Sequence, residues 1–408
     1  MNLLLFQKKR LSKGIRLALD FTSGVLDSRI TFTRASNGTR VNSSGIIESI
    51  ASNLPRFDYD PVTLAPKGLL IEEQRTNLLT YSSEFDNAAW TKTNTTISAN
   101  VTTAPDGTTT ADKLEPATAA STSIYQSVVI AASSYTGSVY VKKGSGASDA
   151  NRFYLRDSTT STTLLQVAID YDTLVITYVI GSTGASVQNV GNGWLRVSLT
   201  ITSSLTIGNT LRYGVCFVGN NETAGEFAYA WGAQLEAGAF STSYIPTTSA
   251  TVTRAADNAS MEGSNFSSWY NQSEGTIYAA VSFTNTSSFN TVYSITDGTV
   301  SNAIRTIQWN NGTDRPSNIV TAGVLQMNPV STGLIGNAKY CVAFALNNAN
   351  YAKNGVLGVD DTSVTLPTVN QLAFGSTAGS TFYLNGHIQS IKYYPKRLPN
   401  ADLQRLTR

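Results

Sequence analysis

Between Glu226 and Glu236 the side chains alternate, with Phe227, Tyr229, Trp231, Ala233 and Leu235 at odd positions and Glu226, Ala228, Ala230, Gly232, Gln234 and Glu236 at even ones. A period of two belongs to a strand with one buried and one wet face, not to a helix of period 3.6. The stretch is therefore predicted to lie in a β-sheet. After Gly238 the alternation dissolves into small and hydroxylated residues around Pro246, and no new strand pattern begins before Gly275. A domain is predicted to end near 240, with a linker over 241–274.

Composition points to the same fold class. Of the 408 residues 41% are apolar, enough for two or three domains with their own cores, and only 14% are charged, well below the roughly 25% of ordinary globular domains. Thr, Ser, Asn and Gly fill the deficit. They suit hydroxyl-coated strands and turns, and the chain is poor in the residues that coat surface helices. Formal net charge is +2, without the basic face that grips nucleic acid. The local basic cluster Lys8, Lys9, Arg10, Lys13 and Arg16 reads as part of an N-terminal arm over 1–20 that orders on a neighbouring subunit. Met1 to Phe6 is too short to span a bilayer and reverses the charge-then-apolar order of a signal peptide, so synthesis in the cytoplasm without membrane insertion is expected. Cys216 and Cys341 fall in different predicted domains, exclude a disulfide framework and read as small buried residues.

The strand signals give an all-β chain. From Leu17 to about Ser83 short apolar groups (LALDF, ITFTR, GIIES, GLLIE) are separated by Gly, Asn, Pro and Ser, a small β-rich lead-in assigned to 21–80. Eight strands are predicted within 81–240, at Ser138–Lys142, Arg152–Arg156, Leu165–Ile169, Leu174–Val179, Ala185–Val190, Trp194–Ile201, Arg212–Phe217 and Phe227–Leu235. Short strands at turn-separated intervals with no helix among them describe an antiparallel sandwich or jelly roll. A second sandwich is predicted over 275–408, with two-residue hairpin signals at Asn354 and Gly355 and at Asn385 and Gly386. A short C-terminal helix after Pro399 packs Leu403 and Leu406 against it.

Groups able to do chemistry are sparse. His387 is the one histidine, and a catalytic triad, a dyad or a histidine metal site each needs convergent partners that the sequence does not display. Glu72 and Glu73 are neighbours on a strand, point to opposite faces, and cannot share one substrate as a glycosidase pair. One of them is expected to form a buried or half-buried ion pair with Arg75, fixing a connection while Leu69, Ile71, Leu78 and Leu79 pack. The glycine-rich pieces KKGSGAS (142–148) and GSTGAS (181–186) lack the strand-to-helix context and the ending that cradle phosphate. Asp297, Asp314, Asp360 and Asp361 lack the spacing of a calcium loop. Trp194 and Trp231 lie in alternating strands and are expected in a core. The expectation is no catalytic residue, no metal and no cofactor.

Several motifs, in one order along the chain, resemble segments of predicted tail and virion structural proteins of bacteriophages: TFTRASNGTRVNSSGIIE (31–48), GLLIEEQRTNLL (68–79), GNGWLRVSLT (191–200), and AQLEAGAFSTSYIPT with the TRAAD after it (233–257). The resemblance covers much of residues 20–257. It implies a structural or host-attachment part of a virion, a tail fibre or tail tip, assembled in the host cytoplasm. Its partners are then other tail or capsid proteins, and the habit of such proteins is a homo-oligomer, commonly a trimer. The central region resembles non-catalytic carbohydrate-binding modules, and FYLNGHIQSIKYYPKRLPNADLQRLT (382–407) resembles the concanavalin A-like or laminin-G-like jelly roll. Both imply a host surface glycan as ligand, stacked on exposed aromatic rings. Tyr293, Arg305 and Trp309 are the expected sugar-facing patch. Trp90, Tyr125, Tyr140, Trp194 and Trp231 are a second set, each more simply read as core. Two other roles stay open: a capsid decoration or cement protein, and a polysaccharide-degrading tailspike, although tailspikes of that kind usually resemble repetitive β-helices and no such repeat occurs here.

Overall fold

The computed structural model describes residues 14–117, 122–145, 151–216, 226–283, 289–308, 313–332, 336–377 and 382–408. The expected all-β fold is what forms, with antiparallel sheets in sandwich arrangements and a short C-terminal helix, Asn400–Thr407. The way the chain is shared between the sandwiches differs from the expectation.

The central sandwich has two six-stranded sheets. One runs in the order Ala185–Asn189, Trp194–Ile201, Tyr135–Lys143, Ala228–Ala237, Ala111–Pro116, Thr95–Thr102; the other runs Ile176–Ile180, Thr162–Ile169, Asn151–Asp157, Thr210–Cys216, Ser123–Val129, Thr91–Thr93. Val139, Val141, Leu195, Val197 and Leu199 meet Phe153, Leu155, Val167, Leu211 and Val215 between them. Four strands between 91 and 129 are not among those predicted; Thr91–Thr93 and Thr95–Thr102 are Thr-rich, and Thr95–Thr102 is half-buried or exposed throughout, with no buried position.

The alternation around Trp231 does not lie on one face. Ala228 and Ala230 belong to the core between the sheets, as do Ala233 and Leu235, whereas Trp231 packs in a separate cluster with Tyr140 and Tyr244. The phase changes at a bulge: Ser138 pairs with Gln234 but Tyr140 with Trp231, and Gly232 takes φ +63°. An extra residue in one strand reverses which side faces inward. Trp231 thus points to the outside of the sandwich.

The second sandwich is built from both ends of the chain. One of its eight-stranded sheets orders Val356–Leu357, Asn348–Lys353, Asn337–Ala345, Glu274–Phe283, Gly386–Tyr394, Pro66–Ile71 and Phe57–Tyr59, with Leu17–Asp20 also paired to Gly386–Tyr394. The other places Thr31–Thr33 beside Asn258–Glu262 at one edge. Leu17, Leu19, Phe57, Leu69 and Ile71 share one core with Ile277, Val342, Ile388 and Tyr393. The predicted lead-in over 21–80 is therefore not a separate layer, and the last residues of the predicted arm, Leu17 and Leu19, are core. Residues 1–13, with Lys8, Lys9, Arg10 and Lys13, lie outside the described residues.

The central sandwich is thus inserted into the outer one. The chain enters and leaves it side by side, because Arg75–Asn77 pairs antiparallel with Val252–Arg254. The predicted linker 241–274 is accordingly a structured neck that carries Val252–Arg254, Asn258–Glu262 and the single helical turn Ser264–Ser267. Asn354 and Gly355 make the expected tight hairpin, both with positive φ. Asn385 and Gly386 do not, since no strand precedes them within the described residues 382–385; the Asn385 side chain instead accepts from the Glu73 backbone N–H at 3.0 Å and donates to its carboxylate at 3.1 Å. Leu403 of the C-terminal helix packs on Tyr278, Ala280 and Cys341. Among the described residues no helix is long and apolar enough to cross a membrane.

Candidate functional site

The densest polar chemistry of the chain lies at the neck, where the two sandwiches meet. Glu72 follows the strand Pro66–Ile71, off the strand on which the sequence places it, and its carboxylate touches Arg56 Nη2 at 2.8 Å and Arg254 Nη1 at 2.6 Å. It also accepts from Ser243 N–H at 2.8 Å and from Ser243 Oγ at 2.7 Å. Asp257 pairs with Arg56 and, at 3.1 Å, with Arg34, and its second oxygen accepts from the Glu72 N–H at 2.9 Å. Arg254 also donates to the Glu73 carbonyl. Arg34, Arg56 and Arg254 are each 1% exposed or less. Burial works to raise the Glu72 carboxyl, but the charges of Arg254 and Arg56 and the Ser243 bonds outweigh it and hold the group well below the usual carboxylate range. Buried charges persist only when paired and hydrogen-bonded in this manner.

Glu73, on the opposite face, joins Arg75 at 2.6 Å. Arg75 is buried, donates to the Ala237 carbonyl and lies over the Phe240 ring at 4.5 Å. This is the ion pair expected for Arg75, and the two acids do face apart. Asn77 adds the backbone link, donating to the carbonyls of Ala233 at 3.1 Å and Ile245 at 2.9 Å.

Beside this network a polar cleft of about 240 Å³ opens between the sandwiches. The central sandwich contributes Tyr140, Ser186, Gln188, Arg196 and Ser198; the outer one contributes Asp58, Lys67 and His387; the neck segment Ser241 to Tyr244 lines it as well. In Trp194–Ile201, Arg196 and Ser198 line this cleft and Trp194 packs in the outer cluster with Tyr140, while Leu195, Val197 and Leu199 face the core.

His387 has partners that the sequence did not display. Its Nε2 is 2.8 Å from Asp58 Oδ2, and its Nδ1 is 3.4 Å from the hydroxyl of Ser282, its cross-strand neighbour. Burial, helped by the charge of Lys67, pushes the imidazole below its usual pKa against the pull of Asp58. Asp58 is lowered although burial opposes it, through its bonds to His387 and the Val41 N–H. The imidazole is then neutral at pH 7: Nε2–H donates to Asp58, and Nδ1 accepts from Ser282. The ring is 1% exposed, so this chain of bonds is internal to the seam.

The expected sugar patch does not assemble. Tyr293 is completely buried in the outer core. The register of its strand shifts between Thr291 and Tyr293, so Val292 and Tyr293 both turn inward, the effect of a bulge. Arg305 is half-buried and donates from Nε to Asn318 at 2.8 Å. Trp309 lies outside the described residues. Trp90 is 2% exposed in the central core, and Trp194, Trp231 and Tyr140 are 1%, 3% and 4% exposed on the seam side of the central sandwich. Tyr125 is half-buried beneath Arg212, whose guanidinium carbon is 3.7 Å from the ring centre. No group of three or more His, Cys, Asp or Glu side chains able to hold a metal occurs among the described residues. Cys341 is buried; the side chain of Cys216 lies outside the described residues.

Arg34, Arg56, Arg254 and Asp257 were not singled out from the sequence. The available signal was a charge set inside a run of small or apolar residues, as in TRAAD. Arg56, in NLPRF, carries no such mark.

The chain matches no family model and no curated protein. Among solved structures it is similar to the NanB sialidase from Streptococcus pneumoniae in complex with a chlorobenzylammonio ethanesulfonate (13% identity, TM-score 0.32), over 36% of this chain and 26% of that one. It is also similar to the Ruminococcus gnavus IT-sialidase CBM40 bound to α2,3-sialyllactose (16%, 0.30; 35% of this chain, 86% of that one). A third is the receptor-binding domain of botulinum neurotoxin mosaic serotype C/D (14%, 0.28; 36% and 39%). The chain spans about a quarter of the NanB sialidase chain.

Proposed function

We propose that this protein is a non-enzymatic structural component of a bacteriophage virion, a host-attachment part of the tail that presents a glycan- or receptor-binding surface. It works as a homo-oligomer, a trimer, among other virion proteins. The observation that supports this reading is where the resembling motifs go. TFTRA supplies Arg34, GLLIEEQRTN supplies Glu72, Arg75 and Asn77, STSYIPT supplies Ser243 and Tyr244, and TRAAD supplies Arg254 and Asp257; all of them gather in the hydrogen-bonded network at the neck. Side chains spent on rigidity suit a part that carries load and holds a surface in place.

Purified protein should compete with phage for adsorption to host cells. Protein that neither binds cells nor slows adsorption sinks the attachment role, and its location on the capsid lattice in particle images would establish decoration instead. One observation favours an enzymatic reading, the Ser282, His387 and Asp58 chain beside the cleft. Release of reducing ends from host polysaccharide, lost in His387→Ala, would replace the present conclusion.

A further inference from the structure

We propose that the cleft between the sandwiches holds one sugar ring bearing a carboxylate, with Arg196 as its anion-binding group. The proposal rests on the attachment reading and specifies the ligand class. At about 240 Å³ the cleft falls below the roughly 300–1,000 Å³ of pockets for drug-sized ligands, so it suits a single ring and not a chain. Ser186, Gln188, Ser198 and Ser241 line it with hydroxyl and amide groups that match sugar hydroxyls in both donor and acceptor roles.

Most charges on its walls are already committed. Glu72 is held by Arg56 and Arg254, Asp58 by His387 and the Val41 N–H, and Arg40 by Glu48 at 2.7 Å. Arg196 is half-buried and gives one bond, from Nη2 to Ser138 Oγ at 2.9 Å, while its Nη1 has no acceptor among the described residues. Its guanidinium lies 5.2 Å from the Tyr140 ring centre, which fixes its orientation. A carboxylate offers the two acceptors that a guanidinium fork accommodates. Lys67, with its ammonium 3.9 Å from Asp58 and its side chain 29% exposed, adds positive charge to the same cleft. The walls come from both sandwiches and the neck, so the site exists only in the assembled chain.

The test is calorimetric titration of the full chain with glucuronate and galacturonate against glucose and galactose. The uronates should bind at least about tenfold tighter than the neutral sugars, and Arg196→Ala should remove about tenfold or more of their affinity, with partial recovery in Arg196→Lys. Gln188→Trp, at an exposed position, should block uronate binding while leaving the unfolding transition unchanged. Equal binding of acidic and neutral sugars, no binding of either, or uronate binding indifferent to both Arg196→Ala and Gln188→Trp would overturn the proposal. Adsorption assays on the same variants separate the two claims. Protein that competes for host cells but ignores uronates leaves attachment standing without this site, whereas protein that binds uronates yet never engages cells leaves the site standing without attachment.

Discussion

Glu72 Oε2 and Arg254 Nη1 meet at 2.6 Å although 182 residues separate them in the chain. Arg254 ends the strand by which the chain leaves the central sandwich, Glu72 lies three residues before the strand Arg75–Asn77 by which it enters, and their side chains are 1% and 8% exposed. With Arg56 on the other side of Glu72 and Asp257 beyond it, the contact ties both crossings to the outer sandwich. Most consequences of the architecture trace back to this seam.

Removing the acid leaves the buried Arg254 without its carboxylate and Arg56 with Asp257 alone. Glu72→Ala should cost about 3–5 kcal/mol, the penalty of breaking a buried ion pair from one side. Glu73→Ala, which removes a carboxylate whose side chain is 30% exposed, should cost about 1 kcal/mol or less. Urea unfolding of both variants checks the contrast, and equal losses would mean that the network does not bear on stability.

Asp112 gives stability a pH dependence of unusual sign. Its carboxyl is 1% exposed, and burial raises it to about 6, against the pull of the Asn100 and Phe85 N–H groups that donate to it. With the folded pKa above the unfolded one, its contribution is fully present below about pH 4 and is lost as pH rises through about 6, a change of about 3 kcal/mol. Asp112→Asn should flatten this part of the profile. Urea midpoints measured between pH 4 and 7.5 decide it; an unchanged slope in the variant assigns the effect elsewhere.

Gly68 reports on the junction between the early and late strands. It takes φ +99°, and a Cβ there would sit 2.2 Å from the Ile388 carbonyl oxygen of the neighbouring strand. Gly68→Ala should cost at least about 1–3 kcal/mol from backbone strain, with the added clash on top. A variant as stable as the parent would argue against the pairing of Pro66–Ile71 with Gly386–Tyr394.

The insertion itself is testable by cutting. Residues 78–250 expressed alone should give a cooperative β-sheet unfolding transition, because that sandwich has its own core. A chain beginning at residue 72 should fail to form the outer sandwich, because Leu17, Leu19, Phe57, Leu69 and Ile71 are part of its interior. Circular dichroism and amide exchange of the fragments read both outcomes.

Sequence alone determined what local patterns can encode. The scarcity of helix formers and the period-two runs yielded extended chain; Asn354 and Gly355 yielded their hairpin; and Leu403 and Leu406 yielded a helix with one packed side, whereas Glu72 and Glu73, read as strand neighbours, lie between the strands Pro66–Ile71 and Arg75–Asn77. Each rests on residues within a few positions of one another. Tertiary structure alone decided which strands share a sheet, since Leu17 meets Tyr393 and Asp58 meets His387 through contacts whose partners carry no mark of each other. The same holds for facing: one extra residue at Gly232 or Val292 reverses a strand's sides, and so Trp231 went to the seam and Tyr293 to the core. Pairing over hundreds of residues is settled by burial summed over the whole fold, a quantity that no short window of sequence contains.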